Sequence, residues 1–161
     1  MKRAILLTFV VLGGAAPATA ATAPLVPKAT QIQVKDLLTQ FNSLAVAYMP
    51  TAAPKHYYLA NFGASPNLAT YTVADSRYPV GSNKERAVFF FFEPFKGRLA
   101  QCRRSRNGAM SLGAVKIYFE GFAAWRCVLA PSGRLVKLVA KSSIIRGSEL
   151  GFMVAAIRRI P

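Results

Sequence analysis

The sequence predicts an α+β domain: an N-terminal amphipathic helix packed on an antiparallel sheet of five to six strands, closed by a short C-terminal helix. Three observations carry this reading. Apolar residues recur at helical spacing near the start of the domain. Short β-rich runs separated by Gly, Pro and Asn fill the middle. The spacing returns to a helical period at the end. The chain has 161 residues, 53% hydrophobic and 17% charged, which suits one packed domain and excludes a disordered or low-complexity chain.

Residues 1–20 read as a secretory signal peptide. Met1-Lys2-Arg3 is followed by an apolar run from Ala4 to Ala16 and an A-x-A site ending at Ala20. A second A-x-A site ends at Ala23, but Pro24 after it would block cleavage. The expected location is therefore periplasmic or secreted. The apolar run is shorter than the roughly 20 residues a relaxed membrane span needs. Residues 21–30, with Pro24 and Pro27, are expected as an extended arm before a single domain over 31–161.

Within that domain, Thr30 and Gln33 have capping-box spacing. Ile32, Val34, Leu37, Leu38, Phe41, Leu44, Ala45 and Tyr48 then predict a helix from about Gln31 to Tyr48, stopped by Pro50 and Pro54. Strands are expected at Tyr57–Phe62, Ala69–Ala74 and Arg86–Glu93. The last holds Phe89 to Phe92 in a row, so it reads as the central strand with both faces covered. Val115–Glu120, Ala124–Ala130 and Arg134–Lys141 alternate as a meander. Leu150, Met153, Val154, Ile157 and Ile160 predict a terminal helix, with a final strand as the alternative.

Export changes the meaning of Cys102 and Cys127. In an oxidising compartment an isolated even pair is expected as a disulfide, and no C-x-x-C spacing suggests a redox role. Trp125, Cys127 and Leu129 fall on one strand face, so the bond would pin the sheet to the segment near Gln101.

The formal charge of +15 is unevenly placed. Residues 21–95 carry six basic and four acidic side chains; from Lys96 onward there are thirteen basic residues against Glu120 and Glu149. Lys96, Arg98, Arg103, Arg104, Arg106, Arg126, Arg134 and Lys137 are the candidate anion-binding residues. The expected partner is a polyanion or an acidic protein of the cell envelope, with nucleic acid as a further candidate because aromatics interleave the cations. The expected function is that of an exported basic accessory or binding protein.

Two other readings compete. A small secreted nuclease-like hydrolase could use His56, the single histidine, with Glu93 or Glu120 as base and Arg126 on phosphate. His56 is the candidate catalytic residue, but no spacing makes these groups converge, and a surface histidine is the plainer account. A carrier could line an apolar cavity with the Phe89–Phe92 run. No cofactor is expected. One histidine and two cysteines do not build a zinc or iron–sulfur site, and no loop has the carboxylates calcium needs.

Overall fold

The computed structural model describes residues 24–142, 145 and 147–161. The expected signal peptide and the first residues of the arm lie outside them. In chain order the elements are α1 (Lys28–Gln40), a 3-10 turn (Leu44–Val46), β1 (Tyr48–Pro50), β2 (Tyr57–Ser65), β3 (Leu68–Asp75), β4 (Ala87–Pro94), α2 (Leu99–Cys102), β5 (Ala109–Leu112), β6 (Val115–Glu120), β7 (Ala123–Leu129), β8 (Leu135–Lys141), α3 (Gly147–Ala155) and β9 (Ile157–Arg159).

The chain is mostly β, which corrects the α+β expectation. A seven-stranded antiparallel sheet runs in the order β2-β3-β4-β8-β7-β6-β5, and β1 pairs with β9 in a second, two-stranded sheet. The expected long N-terminal helix is instead 13 residues, lying against the edge strand β2 rather than spread over the sheet. Helical spacing misled beyond residue 40 because Asn42 takes a left-handed conformation (φ 50°) and ends the helix. Ser43 Oγ then donates to the Phe41 carbonyl, and the following apolar residues bury themselves by other means: Val46 from the 3-10 turn and Tyr48 from β1.

The six expected strands correspond to β2, β3, β4, β6, β7 and β8, with Arg86, Ala130 and Arg134 falling one residue outside them, and β5 makes the sheet one strand wider than expected. β8 is the middle strand, with β4 beside it. At the C-terminus a helix and a strand both form. α3 ends at Ala155, and Met49 and Pro50 of β1 face Arg158 and Ile157 of β9.

The sheet has two unlike faces. The inner face carries Tyr71, Val73, Phe90, Phe92, Ile117, Val136, Leu138 and Ala140, all buried with Val34 and Leu38 of α1 and Leu150, Met153 and Val154 of α3. Burial of each large side chain here stabilises by about 1.5–3 kcal/mol. α3 passes so near β5 that a Cβ on Gly151 would stand 2.8 Å from the Met110 sulfur, so a larger residue there would push that side chain aside. The outer face is only partly covered: Phe91 is half-buried and Phe89 is 44% exposed, so β4 is not shielded on both faces as expected.

Candidate functional site

The outer face is organised in cross-strand rows. One row runs Tyr118, Trp125, Val139, Phe91, Thr70 across five strands, from β6 through β7, β8 and β4 to β3. The next row on one side pairs Cys127 with Lys137 and Glu93. On the other side it runs Glu120, Ala123, Lys141, Phe89. Strand alternation therefore sets an aromatic stripe between two rows that each carry one lysine and one glutamate.

Tyr118 and Trp125 stack with ring centroids 6.3 Å apart, and Lys137 Nζ lies 4.7 Å from the Trp125 ring centroid. Lys141 Nζ lies 5.5 Å from that of Phe91. Such cation–π contacts contribute about 0.5–1 kcal/mol where solvent reaches them. Tyr118, Trp125 and Val139 form a small buried cluster of their own.

That cluster is buried because the segment after β4 crosses it. The Arg98 amide donates to Gln101 Oε1 at 2.8 Å, which starts the single turn of α2. Gly97 permits the crossing, since a Cβ there would strike the Phe95 ring and Gln101 Oε1. The disulfide Cys102–Cys127 then fixes α2 to β7, with Cα atoms 6.2 Å apart. Trp125 donates its indole N–H to the Cys102 carbonyl at 3.2 Å, and Ser105 Oγ donates to the Phe119 carbonyl. The disulfide expected from the sequence is present, and it joins the two parts expected.

The crossing brings some of the eight candidate cations together. Arg104, Arg106 and Lys137 line one cavity of about 290 Å³ with Phe95, Trp125 and Glu120. Lys96 and Arg134 share a different cavity of about 550 Å³ with Asn67 and Leu135 at the end of β4. Arg103 faces a third, beside β6 and β7. Arg98 lies exposed ahead of α2.

Arg126 stands apart, buried at 8% exposure on the inner face. Its guanidinium donates to the Ile157 carbonyl, and to the Ala155 carbonyl at 3.5 Å. Burial first, and then neighbouring Arg158, hold its pKa down to about 10, while Tyr48 opposes them. It therefore stays charged at neutral pH and fastens the C-terminal segment to the sheet.

The residues of the hydrolase reading are scattered. His56 is exposed in a left-handed conformation (φ 84°) at the start of β2. Glu93 lies at the opposite end of β4, six residues past Ala87 and so about 20 Å along the strand. Glu120 is on β6, four strands across from β3, and Arg126 is under the sheet. Near His56 stands Asp75, which Arg77 engages through Nε at 2.9 Å and Nη2 at 2.6 Å. Those hydrogen bonds hold the Asp75 carboxyl below the usual range against the opposing effect of burial. Phe90 and Phe92, proposed for a carrier's cavity, pack in the core, Phe92 with its ring 5.6 Å from that of Tyr71.

Strand alternation in the sequence puts Trp125 and Cys127 on one face, and composition marks the cations after Lys96. No local pattern signals that the crossing segment lays Arg104 and Arg106 beside Lys137, because that depends on the path of α2 over the sheet.

No family model matches the chain, and no curated protein matches it. Among solved structures, the fold is similar to a chain in the MucA/MucB complex of Pseudomonas aeruginosa, at 15% identity and a TM-score of 0.41, over 72% of this chain and 36% of that one. It is also similar to a chain in the structure of MucB in complex with MucA(peri), at 17% identity and a TM-score of 0.39, over 72% and 37%. The chain thus spans little more than a third of the length of the chains it matches, and a likeness this distant says nothing about partners.

Proposed function

We propose that the protein is an exported accessory module that docks an acidic protein segment on the outer face of its sheet. The observation that carries this reading is the convergence of Arg104, Arg106 and Lys137 around Trp125, with Glu120 as the single acid lining the same cavity. The disulfide and the Trp125–Cys102 hydrogen bond hold the crossing segment in place, so the cations are positioned before a partner arrives. Preorganisation of this kind raises affinity by reducing the ordering cost of binding. A carboxylate-bearing side chain would meet two guanidiniums, which bind carboxylates in bidentate geometry. The apolar neighbours Phe89, Phe91 and Phe122 give such a segment surface to bury.

Export supports this reading from two sides: the leader composition of residues 1–20 and the Cys102–Cys127 disulfide. Among the described residues no helix is long and apolar enough to cross a membrane.

The test is calorimetric titration with a Glu-rich peptide, and with single-stranded DNA and lipopolysaccharide as competing classes. The triple variant Arg104→Ser, Arg106→Ser, Lys137→Ser should bind the peptide about tenfold or more weakly, since three partly exposed ion pairs together contribute roughly 1–3 kcal/mol. The control Lys96→Ser, Arg98→Ser, Arg134→Ser should retain affinity. Equal losses in both variants would reduce the surface to diffuse attraction. Binding of DNA or lipopolysaccharide alone would replace the protein partner with a polyanion.

A further inference from the structure

The sheet is not continuous between β6 and β7. Their ladder has only three pairs, Tyr118–Trp125, Phe119–Ala124 and Glu120–Ala123, although β6 begins at Val115 and β7 runs on to Leu129. On their other sides both strands stay paired along the opening, β6 with β5 from Val115 to Tyr118 and β7 with β8 to Leu129. The two strands therefore part below Tyr118. The opening between them has a volume of about 560 Å³ and is lined by Arg103, Val115, Lys116, Arg126, Cys127 and Val128 among others.

The direction of each backbone group follows from alternation. Ala130 N–H donates to the Arg134 carbonyl at 2.8 Å, on the β8 side. In an antiparallel strand successive residues turn their N–H and C=O groups to opposite neighbours. The groups of Val128 and Arg126 thus point to β8, and those of Leu129, Cys127 and Trp125 point to β6. Phe119 N–H donates to the Gly108 carbonyl at 3.3 Å, away from β7, which turns Tyr118 and Lys116 toward it by the same rule. Trp125 and Tyr118 meet each other. The groups of Cys127, Leu129 and Lys116 face the opening.

The side chains around it are not neutral. Arg103 and Lys116 are exposed at its rim on the outer side, and no acidic residue lines it. Val115 and Val128 are half-buried toward the inner side, where they pack on the core. Arg126 turns its guanidinium to the C-terminal carbonyls and is not available as a rim cation.

We infer that the opening between β6 and β7 is a strand-docking slot for an extended protein segment of alternating acidic and apolar residues. The segment pairs with the open half of β7 through Cys127 and Leu129. Its outward side chains meet Arg103 and Lys116, and its inward ones lie on Val115 and Val128. This is β-augmentation at a break within a sheet, with main-chain hydrogen bonds for affinity and alternate side chains for specificity. The slot is distinct from the cavity around Trp125, because Arg103 and Arg104 lead to different openings, so this inference stands whether or not the outer-face reading does.

Amide hydrogen exchange with a capped hexapeptide of alternating Glu and Val tests it. In the protein alone, Cys127 and Leu129 amides should exchange fast and those of Arg126 and Val128 slowly. With saturating peptide, exchange at Cys127 and Leu129 should slow by about tenfold or more. The double variant Arg103→Ser, Lys116→Ser should weaken binding about tenfold, and a peptide N-methylated along one edge should fail to bind. In the Arg104→Ser, Arg106→Ser, Lys137→Ser variant the peptide should still slow exchange at Cys127 and Leu129 to the same extent. No binding up to millimolar peptide, or binding that leaves the two amides unprotected, would overturn the inference. So would equal binding of the N-methylated peptide. Sensitivity to Arg104, Arg106 and Lys137 in place of Arg103 and Lys116 would assign the peptide to the outer face and overturn the slot.

Discussion

Trp125 donates its indole N–H to the carbonyl of Cys102, across 23 positions of sequence, while the neighbouring Cys127 holds the same residue through its sulfur. Two bonds of different kinds thus anchor one point of the crossing segment to β7. The arrangement of Arg104 and Arg106 over the sheet depends on that point.

Removing the disulfide should therefore separate stability from docking. The pair Cys102→Ser, Cys127→Ser releases a 25-residue separation, and the chain-entropy estimate for that loop is about 3 to 4 kcal/mol. Urea denaturation should show a loss of that order. Peptide affinity at the outer face should fall even under conditions where circular dichroism shows the sheet intact. Unchanged affinity in a folded variant would mean that the crossing segment holds its place without the bond.

Arg126 should behave as a structural residue and not as a docking one. Arg126→Ala removes the buried one of two donors to the carbonyls of Ala155 and Ile157, which also accept from Arg158 Nη1 at 2.6 and 2.8 Å, and should destabilise the protein by about 1–3 kcal/mol. Amide exchange over Ile157–Arg159 should accelerate, because among the described residues β9 pairs with β1 alone. The salt dependence of peptide binding in the variant, measured where it remains folded, should match that of the unaltered protein. A shallower salt dependence would return Arg126 to the docking set.

Asp75 should make the fold acid-sensitive. Its folded pKa lies below the unfolded value of about 3.9, because Arg77 hydrogen-bonds the carboxylate. The unfolded chain then binds more protons in that window. The contribution is complete above the unfolded pKa and is lost as pH falls through the folded one. Urea midpoints between pH 2 and 6 should fall more steeply for the unaltered protein than for Asp75→Asn. Parallel profiles would show that the Asp75–Arg77 pair does not govern the acid limb.

Much of the sheet was legible in the sequence because period-two alternation and turn residues mark strands locally. Lys137, Val139 and Lys141 share a face by strand geometry alone, and the Cys102–Cys127 bond followed from composition and expected export. The fold class was not legible. Leu44, Ala45 and Tyr48 continue a helical spacing that a single left-handed residue, Asn42, interrupts, and propensity gives little warning of that. β5 was hidden because Ala109–Leu112 is short and mostly exposed, so it lacks a buried alternation. Arg126 looked like any other cation because nothing in a strand pattern tells which face will meet the C-terminal carbonyls. Of the candidate cations, the grouping of Arg104, Arg106 and Lys137 depends on a chain crossing that no local pattern encodes.

Trp125 is the single tryptophan of the chain and lines the cavity that Arg104, Arg106 and Lys137 surround. Its fluorescence therefore reports directly on the proposed docking site. Titration with a Glu-rich peptide at low and high salt, in the unaltered protein and in Arg104→Ser, Arg106→Ser, is the most direct measurement. The account predicts a saturable change in Trp125 emission whose midpoint rises steeply with salt, and a midpoint several-fold higher with a weaker salt dependence in the variant. Emission that does not respond while calorimetry reports binding, or a midpoint identical in the two proteins, would contradict it.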